Sequence, residues 1–287
     1  MDDLATLSAN QEWAILTQHF EKAAGPLAFA HANSLLALSR ELQQPIIHFW
    51  TLADNVILGM MDTKLPAYPQ AVATLEAAHY AHFVRNAGGL GIVTDAGVLN
   101  VSFYLPDMAD HLSINAAYAL MHQLFTTAFA DYPVTIDHFE VTHSYCPGEY
   151  DLSINGQKFA GIAQRRAKNG IAVLLYASIT GNQQARGKLM HSFYTAGQAQ
   201  SQTRWTFPVV IPDTMANLSD LLNEPMTVAT AITHLQTAFS RLVQQPQLVD
   251  LTPQLQTKAY QQLLLKNQTA LHRYQVERAS KRRLYCD

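Results

Sequence analysis

Apolar positions change period several times along the chain. Over residues 26–42, Ala28, Ala32, Leu35, Leu36 and Leu42 recur at helical spacing, with Pro26 suited to a first turn and Pro45 just past the end. The spacing predicts an early helix behind a loose N-terminal segment. Residues 46–50 and 55–59 read as short strands, and a helix is expected between Pro69 and His82. Residues 83–105 hold two β-rich runs separated by Asp95-Ala96-Gly97, which predicts an antiparallel hairpin. Residues 107–131 return to helix, with Ile114, Ala117, Tyr118, Met121, Leu124, Phe125 and Ala128 on one stripe.

Strands resume over 134–180. One run ends at His143, Asp151-Leu152-Ser153-Ile154 leads into an Asn155-Gly156 turn, and runs at 157–166 and 170–179 follow. After Trp205 the chain is extended as far as Pro212, then helical over 215–222, 228–242 and 253 to about 278. Hairpins and helices in blocks argue for an α+β fold, with a largely antiparallel mixed sheet flanked by helices. The expected division is a catalytic-size domain over 1–210 and a C-terminal helical extension over 211–287, without internal repeats.

Composition narrows the function. With 287 residues and 48% hydrophobic positions the chain can bury a large core, while its 14% charged residues fall below the ~25% of ordinary soluble proteins. Net charge is −3, so no global positive field favours nucleic acid as a partner. The longest nearly apolar stretch, 170–179, is far short of the ~20 residues of a bilayer span, so no membrane partner is expected. The opening MDDLATLSANQEW lacks the basic and apolar regions of a secretory signal, which points to the cytoplasm. Two cysteines, Cys146 and Cys286, cannot make a disulfide framework.

Cys146 lies in Ser144-Tyr145-Cys146-Pro147-Gly148-Glu149-Tyr150-Asp151, a Pro-Gly turn between strands, where a scaffold presents functional groups. Lys158 opens the strand after the Asn155-Gly156 turn. If the two strands pair, its ammonium reaches the Cys146 loop, favours thiolate and can shuttle a proton; a turn cysteine and a solvated lysine are the bland alternative. Gly88, Gly89 and Gly91 follow Arg85 and precede a strand rather than a helix, so they fit neither a dinucleotide fingerprint nor a P-loop. Such glycines let a ligand chain or a backbone approach closely, or make a plain turn. Arg85 can hold a carbonyl or carboxylate, or be solvated. His79 and His82 sit at a spacing that a helix would place together, but no third ligand is near and no metal is expected. Arg165, Arg166 and Lys168, with Arg186 and Lys188, form a basic cluster that can steer an acidic protein partner or simply be a solvated strand end.

Three blocks carry a resemblance: Arg85-Asn86-Ala87-Gly88-Gly89 running to Gly97-Val98-Leu99-Asn100, then Ser144 to Ser153 through Tyr145-Cys146-Pro147-Gly148, then Lys158-Phe159-Ala160-Gly161-Ile162-Ala163-Gln164-Arg165-Arg166. In order and content they resemble the lipoate-protein ligase and octanoyltransferase superfamily, and WTLADNVILGMMDTKLP at 50–66 is similar to its strand and loop before the first helix. The match covers about residues 30–225. It implies a biotin/lipoate-protein ligase-like catalytic domain. The Tyr-Cys-Pro-Gly block most resembles the amidotransferase branch, which moves an octanoyl group from the lysine of the glycine cleavage H protein to the lysine of lipoyl domains in 2-oxoacid dehydrogenase acyltransferase subunits, without ATP or another cofactor. The resemblance implies an acyl thioester at Cys146, proton handling by Lys158, and substrate binding by Arg85, Gly88, Gly89, Asn100 and Gly161 around an apolar tunnel. ATP-dependent ligases of the same superfamily are the competing reading; they carry an Asn-containing block in place of Tyr145-Cys146-Pro147 and a His where this chain has Thr94-Asp95. The carrier-protein octanoyltransferases carry Cys-Phe-Asp, absent here, and a non-catalytic lipoyl-domain-binding protein would leave Cys146 and Lys158 incidental.

Overall fold

The computed structural model describes residues 4–5, 12–106, 112–167, 170–202, 204–244 and 248–283. Cys286 and Lys168 therefore lie outside the described residues.

The chain begins its fold with a strand that the pattern did not reveal. β1, Ala14–Phe20, has exposed or half-buried Thr17, Gln18 and His19 in its middle, which broke its apolar signal. It crosses through α1, Gly25–Leu42, to the parallel β2, Ile46–Leu52. α1 starts at the expected proline and ends with Gln43 in the left-handed region (φ 50°), whose N–H closes back on Arg40 and Ser39. A second crossover follows: β3, Asn55–Leu58, then α2, Tyr68–Ala77, then β4, Ala81–Val84, parallel to β3. The helix is shorter than expected. His79 follows it and His82 stands on β4, so no helical face joins the two imidazoles.

β5, Ile92–Thr94, and β6, Val98–Pro106, flank Asp95-Ala96-Gly97 as expected, yet they do not form a hairpin. β5 pairs with β3, whereas β6 pairs along its length with β10, Gly170–Ser178, and with β2. The turn itself is claimed from outside: Arg186 grips Asp95 with two bonds of 2.6 and 2.7 Å, and the Gly97 carbonyl accepts the N–H groups of Ile179 and Thr180. A turn tied to the end of β10 sends its two strands into different sheets. The second hairpin is as expected. β8, Leu152–Ile154, and β9, Gln157–Ala167, run antiparallel about Asn155 (φ 51°) and Gly156 (φ 79°), the paired positive φ of a type I′ turn.

Among the described residues one sheet has the order β11-β1-β2-β6-β10-β9-β8-β7, with β7 being Asp137–His138 and β11 Val249–Asp250, and a smaller one the order β4-β3-β5. The large sheet is antiparallel except at β1, so the α+β, largely antiparallel reading stands. One of its faces meets α3, Ile114–Ala128, over a core that includes Trp13, Phe49, Phe103, Phe125 and Phe159. Each such side chain contributes about 1.5–3 kcal/mol by leaving water. The other face meets α1 and the small sheet. α4, Gln183–Ala196, went unrecognised because Arg186 and Gln183 sit on its buried side and break the apolar stripe.

The segment from 211 onward is helical, as α5 (Leu218–Leu222), α6 (Val228–Leu242), α7 (Thr252–Leu255) and α8 (Lys258–Arg283). These helices share the cores of the earlier segment: Leu235 and Phe239 of α6 pack with Trp13, and Tyr260 and Leu264 of α8 with Leu35 and Ile46. Two contacts lock α8 at a distance in sequence. Its Gln275 amide accepts from Val84 N–H (3.0 Å) and donates to Val84 C=O (2.5 Å) at the edge of β4, and Tyr260 O–H bonds the ring of His31 at 2.8 Å.

Burial pushes His31 down to about 4 from its ordinary 6.5. A lowered histidine supports the fold fully above about 6.5, and that support is lost as pH falls through about 4. The melting temperature should drop between those limits, and the drop should be smaller in His31→Asn. Parallel melting curves of both proteins would refute this. Among the described residues no helix is long and apolar enough to cross a membrane.

Candidate active site

The type I′ turn sets Lys158 at the start of β9, and the preceding strand β8 begins just after Asp151. Between β7 and β8 the chain makes the loop that carries Cys146. A buried ion pair holds that loop from both sides. Lys158 Nζ lies 2.9 Å from Asp151 Oδ1 and donates to the carbonyls of Cys146 (2.7 Å) and Tyr145 (3.0 Å) and to Ser144 Oγ (3.2 Å). Asp151 Oδ2 accepts the N–H groups of Gly148 (3.2 Å) and Val141 (3.3 Å). The cation takes the loop's carbonyls and the carboxylate its amides, so a pair that is costly to bury becomes the loop's frame. Burial pushes the Asp151 carboxyl above its ordinary range against the pull of Lys158.

The frame holds Cys146 in the left-handed region, φ 49°, a conformation a residue with a Cβ seldom keeps without outside restraint. The half-buried thiol meets the glycine loop. Leu90 N–H points at Sγ at 3.4 Å and Arg85 Nη2 lies 3.9 Å from it. Arg85, at the end of β4, is buried and folds its own loop by donating to the carbonyls of Gly88 (2.9 Å) and Leu90 (3.1 Å). Gly89 has φ 88°, and a Cβ there would lie 2.7 Å from Arg85 Nη2 and 3.4 Å from Cys146 Sγ, so only glycine lets the loop close on the sulfur. A Cβ on Gly88 meets nothing within 4 Å.

Behind the thiol lies a small, mostly apolar cavity. Strand register explains its floor. Trp50, Asn100, Tyr176 and Gly161 are successive partners across β2, β6, β10 and β9, and His48, Ser102, Leu174 and Ala163 form the next row on the same face. Gly161 leaves the gap: a Cβ there would stand 2.8 Å from the Tyr176 ring and 3.3 Å from Lys158 Cε. Phe29, Ile57 and Ile92 line the opposite wall, and Arg85 and Cys146 lie at the mouth.

The structure thus brings Cys146, Arg85, Gly89, Asn100 and Gly161 to one cavity and its mouth, with Gly88 on the exposed loop beside it. Lys158 joins them through the Cys146 carbonyl, while Arg85 and Leu90 face the sulfur. Three participants were not foreseen. Leu90 acts through its backbone, which has no residue signature; Asp151 stood inside the cysteine block unassigned; and Tyr176 sat in an apolar strand run. The basic cluster separates: Arg186 is buried on Asp95 and Asn217, while Arg165 bonds Asn33 and Arg166 donates to the Leu112 carbonyl. Arg186 is therefore a staple between α4, the Asp95 turn and α5, not a surface charge.

Residues 25–240 match the family described as the lipoyl protein ligase A/B catalytic domain. An octanoyl-[GcvH]:protein N-octanoyltransferase of Lysinibacillus sphaericus is 40% identical over 216 residues, covering 75% of this chain and 78% of the relative. A lipoyl-[GcvH]:protein N-lipoyltransferase of Listeria monocytogenes is 44% identical over 179 residues, 62% and 64% of the two chains. Among solved structures, a bi-partite lipoate protein ligase from Thermoplasma acidophilum superposes with a TM-score of 0.66 at 14% identity, covering 91% of this chain and 93% of that one. A lipoate-protein ligase A bound with ATP gives the same TM-score and identity over 90% and 95%. The fold, the three sequence blocks and the matching family model agree: the chain belongs to the lipoyl protein ligase A/B catalytic domain family.

Proposed function

We propose that this chain is a protein N-octanoyltransferase, taking an octanoyl group from the lysine of the glycine cleavage H protein and passing it to the lipoyl-domain lysine of 2-oxoacid dehydrogenase acyltransferase subunits. One observation carries the reading: a half-buried cysteine, held at positive φ with an N–H donor on its sulfur, at the mouth of an apolar cavity. The names of relatives near 40% identity support the donor and the reaction class.

In the first half-reaction Cys146 sulfur attacks the donor's amide carbonyl, the C–N bond breaks, and lysine amine leaves with a proton. Leu90 N–H and Arg85 are the donors set to meet charge as the carbonyl becomes tetrahedral. Lys158 has two tasks: it holds the cysteine loop, and its ammonium supplies the leaving amine's proton, with Asp151 beside it to stabilise the charge. In the second half-reaction the acceptor lysine attacks the thioester and returns a proton to Lys158. The acyl chain lies over Gly161 and along the strand rows. Nothing in this cycle needs an adenylate.

Mixing the protein with octanoylated H protein and no ATP should give an octanoyl adduct by intact mass that hydroxylamine removes and that maps to Cys146. An adduct formed only with ATP would support the ligase reading instead. The chain-length floor gives a second check. Ala163→Phe fills the deeper row, and excluding two methylenes at about 0.8 kcal/mol each should cut octanoyl transfer about fifteenfold relative to a chain two carbons shorter. Unchanged preference between the two chains would place the acyl group elsewhere.

A further inference from the structure

Asp62 has no part in the cycle above, yet its fully buried carboxyl stands directly behind the groups that face Cys146. It follows β3 at the start of a short 3-10 turn, Asp62–Lys64. Oδ2 accepts the N–H of Gly59 at 2.7 Å, and Oδ1 accepts the hydroxyl of Tyr194 from α4 at 2.8 Å. The backbone of Gly91 lies against the same carboxylate, a Cβ there being 3.4 Å from Oδ2. Gly91 follows Leu90, whose N–H meets the sulfur. Gly59, on the other side, packs directly under Gly89 and Leu90: a Cβ on it would fall 1.9 Å from the Gly89 carbonyl oxygen.

We infer that Asp62 is a positioning residue for acyl transfer, its ionised carboxylate fixing the Gly59 and Gly91 backbones so that Leu90 N–H and the Arg85 guanidinium face Cys146. This rests on the reading of Cys146 as the nucleophile. The Gly59 amide and the Tyr194 hydroxyl both donate to this carboxylate and are held best by its full negative charge; protonation weakens these bonds and removes the charge that faces Arg85. The groups facing Asp62 come from three directions: Tyr194 from α4, Arg85 beyond β4, and the backbone of the Gly59 and Gly91 loops. Burial pushes the carboxyl up to about 7, although each of these neighbours favours the charged form. The device therefore changes state near neutrality. Transfer rises as pH climbs through about 7 and the carboxylate forms.

The test is the pH profile of kcat for transfer from octanoylated H protein, with the fold of each variant checked by circular dichroism. Asp62→Asn should lower kcat by about tenfold or more, leave KM for the H protein within about twofold, and remove the break near neutrality. Tyr194→Phe deletes a hydrogen bond that favours the carboxylate, so it should keep the break and move it to higher pH. Should Asp62→Asn not fold, the Tyr194→Phe profile decides alone. A lowered kcat with the wild-type break intact in Asp62→Asn, or an unmoved break in Tyr194→Phe, would overturn the proposal and leave Asp62 as scaffold. Failure of the underlying reading is separate, since Cys146→Ala with Asp62 intact would then retain transfer.

Discussion

Lys158→Met should lose transfer by about 10³-fold or more and cost about 3–5 kcal/mol of stability, the price of leaving a carboxylate buried without its cation. Asp151 is the carboxylate, and the substitution also strips donors from the carbonyls of Tyr145 and Cys146. Against a total stability of about 5–15 kcal/mol that is a large fraction. The companion variant separates the two effects. With Asp151→Asn added, no unpaired charge remains, so urea unfolding should recover much of the loss while transfer stays near background. If Lys158→Met unfolds within about 1 kcal/mol of wild type, the ion pair is not the frame of the loop.

Gly59→Ala is the second large effect, and it touches neither thiol nor cavity. Its methyl would overlap the main chain of Gly89 and Leu90 at 1.9 to 2.9 Å, all backbone atoms that cannot rotate aside. The loop must shift away, carrying Leu90 N–H and the carbonyls that hold Arg85. A displacement of about 1 Å at a reacting group costs about 10²-fold, so kcat should fall by that order while the protein stays folded. Alkylation of Cys146 by iodoacetamide would report the loosened sulfur environment directly. Wild-type kcat in a folded Gly59→Ala protein would dissociate the glycine loop from catalysis.

Much of this architecture was legible from period and turn chemistry. The Asn155-Gly156 hairpin, α1 behind Pro26 and the stripe of α3 each depend on neighbours close in sequence, which a one-dimensional pattern records. The Asp95-Ala96-Gly97 turn misled for the opposite reason: its partner is Arg186, 91 residues away, and that grip decides where β6 goes. α4 and β1 were hidden by polar residues whose burial only tertiary contacts explain. At the site, Cys146, Lys158 and Arg85 could be named because side chains carry their chemistry. Their division of labour could not. Which cation meets the sulfur and which the carbonyl depends on the path of the 85–91 loop, and the Leu90 amide and Asp62 enter only through that path.

The Gln275 amide on Val84 bears on how the molecule is made. β4 is an outer strand of the small sheet, and its free edge is closed by a side chain 191 residues further along the chain. During synthesis from the N-terminus, β4 emerges long before the helix whose Gln275 closes its edge has been made. Until then β4 offers unpaired main-chain groups to any neighbouring nascent chain. The arginine that faces the thiol follows Val84 directly, so a chain that ends its folding without docking α8 would carry both an aggregation-prone edge and a loosened Arg85.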